Sequence, residues 1–292
     1  MKLTKKLLPA LGMLALSTCM MVTSTFAWFS MNTNVTAKNM IVQAKGDQVY
    51  LQIVAGTDAF QDGVAQTTAV AKSASQTTPK LLPVNVVKSI TSEGAASTTA
   101  YDGGDTYTWV ENYLSTTTGN NGEITTAPQG YTTVASDKLS LYALTNTFKM
   151  RLDPSAGAEN TKNEPLVISS ISVAISGADN AEDTTFAKCL SVFVVSTVTT
   201  TTTTEGGETQ TSTTDEIGVI YANTAGTGTL AKVNNSGSDV IVSQLTNKQV
   251  VDVTVYVFYN GDDANCTQEK LAKMQNASYN VTINFSIGAN NA

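Results

Sequence analysis

What most limits the folds open to this chain is a succession of short apolar runs, rich in β-branched residues and separated by Gly-, Asn- and Thr-rich turns. Residues 166–175 alternate with a period of two, which sets Val167, Ser169, Ile171, Val173 and Ile175 on one face. Residues 279–287 alternate in the same way. Residues 190–198 and 250–259 are more continuously apolar, as strands covered on both faces are. Residues 40–44, 49–54, 81–90, 107–114 and 138–152 read as further strands, the last long enough to hold a bulge. Gly46 and Asp47 between the first two fit a hairpin loop. Residues 55–79 and 116–130 are small and polar and read as surface loop. One short helix is expected near the C-terminus, over 267–275, capped by Asn265 or Thr267 with Leu271 and Met274 turned inward. The pattern predicts an all-β sandwich with long loop insertions, in one domain.

Composition narrows the chemistry. The 292 residues include 46 threonines and no histidine. Without imidazole there is no Ser-His-Asp triad, no Cys-His pair and no HExxH zinc site. No Gly-rich phosphate loop or dinucleotide fingerprint is present either. The expectation is a protein that is not an enzyme and carries no cofactor.

The N-terminus has the layout of a secretory signal. Lys2, Lys5 and Lys6 precede an uncharged run over 7–22, and Thr25-Phe26-Ala27 offers small residues for cleavage between Ala27 and Trp28. The run is short for a transmembrane helix, and none comparable follows. A signal peptide over 1–27 and a mature domain over 28–292 are therefore expected, secreted, with no membrane-spanning segment after cleavage. Removing the three lysines shifts the net charge from −7 to −10. Such an acidic chain is poorly suited to nucleic acid, whose phosphates need clustered Lys and Arg.

The mature chain would keep Cys189 and Cys266, which allow a single disulfide or two separate thiols. The acidic spots Asp262-Asp263 and Asp102-Gly103-Gly104-Asp105 fit turns better than a calcium loop, so no metal ligands are assigned. Tyr101, Tyr107, Trp109 and Tyr113 could form an aromatic platform for a carbohydrate, or pack in the core. Residues 199–216, opening on a run of threonines, read as either an extended hairpin arm with Gly206-Gly207 at its tip or a flexible insertion.

Trp28, Phe29, Val35, Met40, Ile41 and Val42 form an apolar, extended stretch ahead of the main strand body. This candidate donor strand, residues 28–44, could pack on its own sandwich. It could equally add to the open sheet edge of a neighbouring copy, and repetition of that contact head to tail makes a fibre.

Two segments carry a family resemblance. Thr25-Phe26-Ala27-Trp28-Phe29-Ser30, with Val35-Thr36-Ala37-Lys38-Asn39-Met40, resembles the start of the Firmicutes exported proteins processed by the signal peptidase SipW. That group includes the biofilm matrix protein TasA and the camelysins. Residues 255–267 and the terminal Val281-Thr282-Ile283-Asn284-Phe285-Ser286 are similar to the late strand, Gly-Asp turn and last strand of that group. Together these cover under a quarter of the chain. The resemblance implies a jelly-roll-like sandwich, exported and self-associating into extracellular fibres or with related matrix subunits. Camelysins have been described as metallopeptidases, but a chain without histidine departs from that activity. A monomeric adhesion or carbohydrate-binding sandwich is the alternative expectation.

Overall fold

A computed structural model describes residues 39–45, 51–62, 66–72, 81–94, 97–104, 106–113, 130–153, 164–176, 181–203, 209–233, 239–246, 249–266 and 278–288. The expected signal peptide and cleavage site, Trp28, Phe29, Val35 and the helix over 267–275 lie outside them.

The chain is all-β, built from three sheets. In the first, β9 (Glu164–Ser176) pairs antiparallel with β16 (Ser278–Ile287), which runs parallel to β1 (Asn39–Lys45); β1 in turn pairs antiparallel with β3 (Thr68–Lys72). The short β12 (Gly228–Thr229) and β14 (Val240–Leu245) also pair with β9. The second sheet has the order β13 (Ala231–Lys232), β11 (Thr209–Ala222), β10 (Leu190–Thr203), β15 (Gln249–Tyr259), β8 (Ala143–Leu152), β2 (Leu51–Ala55). The third joins β5 (Thr98–Ala100), β4 (Asn85–Ile90), β6 (Thr108–Tyr113) and β7 (Gly130–Thr133). The one α-helix among the described residues, α1 (Ala181–Phe186), leads through a 3-10 turn, Ala187–Cys189, into β10.

Strand alternation explains the layering. On β10, Leu190, Val192, Val194 and Val198 enter a core shared with the first sheet, while Phe193 and Val195 enter a second core shared with the third. β15 divides likewise, with Val251, Val253, Val255 and Val257 on one side and Phe258 on the other. The second sheet is thus the middle layer; β10 is buried on both faces over 190–196, whereas β15 buries Val251, Val253, Val255 and Val257 on one face and leaves Asp252, Thr254 and Tyr256 half-buried on the other. Ile283 and Phe285 of β16 and Ile168 and Ile171 of β9 close the first core opposite Phe148 and Met150.

The second core is aromatic. Around the ring of Phe193, those of Tyr107, Tyr101 and Trp109 stand edge-on with centroids 4.9, 5.3 and 5.9 Å away. Gly218 on β11 makes room for them. A Cβ there would lie 2.3 Å from the Tyr101 hydroxyl and 2.5 Å from Phe193 Cε2. Tyr101 and Trp109 are buried in this core and Tyr107 packs against it half-buried; the side chain of Tyr113 lies outside the described ones.

Several local expectations need correction. The strands over 40–44 and 49–54 are not paired as a hairpin; β1 belongs to the first sheet and β2 to the second. β3 lies inside the stretch expected to be loop. Residues 136–141 are a 3-10 turn, so the long strand starts only at Ala143. On β9 the ladder with β16 slips between Asn284 and Phe285, whose partners are Ser170 and Ile168. The irregularity changes the alternation, so that Leu166 and Ile168 share the first core with Ile171 and Val173. Residues 199–203 and 209–214 are paired strands, the two sides of a hairpin arm.

Candidate functional site

Of the candidate donor strand, residues 39–44 are described, and they lie within the chain's own first sheet. Met40, Ile41 and Val42 stand in register with Val281, Thr282 and Ile283 on one side and with Ala71, Val70 and Ala69 on the other. Val281, Ile283 and Phe285, level with Met40, Val42 and Ala44, are buried in the first core, as is Ala69. Val70, level with Ile41, is 45% exposed, so β3 has one face in the core and one in water.

Two features set β1 apart. Its ladder with β16 is parallel, whereas every other ladder between described strands is antiparallel. It also lies between two neighbours, so withdrawing it would open the facing edges of both β16 and β3. Each edge would then expose backbone donors and acceptors that only another strand can satisfy throughout.

The other sequence candidates fall elsewhere. Asp262 accepts hydrogen bonds from the Asn85 side-chain amide and, at 3.1 Å, from the Tyr131 hydroxyl. Backbone bonds from Val84 N–H to Tyr259 and from Gly261 N–H to Val84, at 2.9 and 3.1 Å, flank this contact. The acidic turn therefore ties the third sheet to the end of β15. Asp263 accepts from the backbone and side-chain amides of Asn265, closing the turn. Asp102 receives Lys88 Nζ at 2.5 Å, and that bond, helped by the Gly104 N–H, holds its carboxyl below the usual range. Among the described residues no three Cys, Asp or Glu side chains gather to hold a metal ion.

Cys189 and Cys266, the candidate disulfide, are not bridged to each other in this structure. Cys189 is buried at the end of the 3-10 turn, and Cys266 is half-buried, its N–H bonded to Asp263 at 2.8 Å. Both flank Tyr259, whose phenol is held far above its usual range by burial first and by Tyr279 second. Among the described residues, no helix is long and apolar enough to cross a membrane.

Sequence reasoning missed β3, the far wall of the place β1 occupies. Thr68-Ala69-Val70-Ala71-Lys72 carries little apolar weight, and its only signal is a faint alternation. It also missed Asn85 and Tyr131, which meet Asp262 only through the third sheet. Comparisons with protein-family models, with curated proteins and with solved structures find no match to this chain.

Proposed function

We propose that this chain is a secreted structural protein of the cell surface or biofilm matrix, a fibre subunit assembling by donor-strand exchange. The observation that supports the reading is the position of β1 between β16 and β3, at the N-terminal end of the described chain and parallel to its last strand. Parallel neighbours require a long crossover, and here nearly the whole chain serves as that connection. Replacing β1 by the same segment of another copy leaves every other ladder intact. Only the chain ahead of β2 has to move.

In the exchanged state each copy accepts one strand and donates one. The contact is heterologous and does not close on itself, so the product is a filament. Main-chain bonds to two neighbouring strands supply affinity, and the alternate register positions along the strand supply selectivity. The expected signal peptide fits this reading, because a free donor segment would follow its removal. The glycan-binding alternative loses its main support, since Tyr101 and Trp109 are buried around Phe193.

A synthetic peptide covering residues 28–45 tests the reading. Added in excess during assembly, it should occupy the place between β16 and β3 and shorten the fibres, while a scrambled peptide has no effect. Fibres of unchanged length at saturating peptide would contradict donor-strand exchange.

A further inference from the structure

Among the described residues, β3 has no ladder other than the one with β1. Of its described side chains only Ala69 is buried, a single methyl group in the first core, while Thr68 and Val70 are exposed. So little apolar surface does not hold a strand by itself. If β1 left and nothing else fixed β3, the far wall of the vacated place would be lost with it.

The segment between β2 and β3 supplies a second attachment. Along β2 and β8, Leu51, Ile53, Met150 and Leu152 enter the first core, so Gln52 and Arg151, level in the ladder, lie on the opposite face. There Arg151 Nε donates to Gln52 Oε1 at 2.8 Å, its Nη2 pairs with Asp62 at 2.5 Å, and its guanidinium lies 4.5 Å from the centre of the Phe60 ring. Gln52 is fully buried and donates from Nε2 to the Gln61 carbonyl at 2.7 Å. At the sheet edge, the Ile53 N–H bonds to the Gln66 carbonyl at 2.7 Å, two residues ahead of β3. Phe60, Gln61, Asp62 and Gln66 thus clasp the edge of the second sheet, from the face behind it to the start of β3. The exposed Asp62 contact adds little. The charge-assisted bond to buried Gln52 and the ring of Phe60 under the guanidinium carry the clasp. None of these bonds involves β1.

We propose that Arg151 is the positioning residue of the strand-accepting site. Its clasp keeps β3 against the first core when β1 departs, so the place between β16 and β3 stays formed for an incoming strand. This use of the clasp rests on the strand-exchange reading; its measurement does not.

The test places a reporter thiol in the full chain with Ala69→Cys, labels it with a maleimide and maps the labelled peptides. Buried Cys189 serves as the internal sign that the core is intact. β1 is loosened by Val42→Pro, with hydrogen exchange over 39–45 as its measure. Position 69 should label slowly in Val42→Pro alone and in Arg151→Gln alone, because one attachment of β3 remains in each. With both changes it should label about tenfold faster or more, while Cys189 stays protected. Phe60→Ala in place of Arg151→Gln should give the same pattern without altering a core residue, and it decides the matter if Arg151→Gln exposes Cys189. Fast labelling in Val42→Pro alone, or slow labelling in both double variants, overturns the proposal. Fibres enter neither readout, so failure of strand exchange in the peptide competition and failure of the clasp are read separately.

Discussion

Val42 stands level with Ile283 in a parallel ladder, although the two lie at nearly opposite ends of the chain, and on its other side it is level with Ala69. A residue flanked by strands on both sides is in the interior of a sheet, where the backbone N–H is needed. Val42→Pro removes that donor and fixes φ, at a cost of about 2–3 kcal/mol to the strand's attachment. If β1 is the exchanged strand, the variant should assemble far more slowly than the parent by light scattering. The core between the second and third sheets should stay intact by Trp109 fluorescence, read in a Trp28→Phe background because the chain has two tryptophans.

The packing of the third sheet on the second depends on the absence of a side chain at Gly218. The Cβ of Gly218→Ala would meet Tyr101 and Phe193 well inside van der Waals contact. A loss of about 1–3 kcal/mol is expected in urea unfolding, with a changed near-ultraviolet aromatic spectrum. An unchanged midpoint would mean that these rings can move apart at little cost.

Alkaline pH tests the same interface from another side. Burial, reinforced by Asp262 beside Tyr131 and by a 2.6 Å bond to Glu111 from Tyr142, pushes both phenols up to about 12. Their folded values lie above the ordinary 10, so the native state holds these protons more tightly than the unfolded chain does. The stability they contribute is fully present below pH 10 and is lost as pH rises through about 12. Urea midpoints measured over that window should fall steeply in the parent. The fall should be shallower in Tyr131→Phe and Tyr142→Phe.

The strands that read most clearly in the sequence are those richest in buried apolar residues. β10 and β15 form the middle layer, and the Val and Phe content of residues 192–198 and 250–258 marks them as strands. β16 keeps its alternation, with Val281, Ile283 and Phe285 all in one core. β9 does not, because the slip near Ser169 and Ser170 moves Ile168 onto the face of Ile171, and no residue there marks it. The absence of a β1–β2 hairpin is not legible, because Gly and Asp between two apolar runs do not say whether those runs pair with each other. β3 was hidden by its alanines, and β5 and β7 by their length of three and four residues. Residues 40–44 are legible as a strand. Their parallel partner is not, since nothing local in residues 39–45 names residues 281–286 as neighbours.

The central claim, that the N-terminal strand joins one copy to the next, is tested most directly by electron microscopy of two forms at rising concentration, one beginning at Trp28 and one at Val49. The account predicts filaments from the first and none from the second, with circular dichroism confirming that the shorter form retains its β-structure. Equal filaments from both would contradict it.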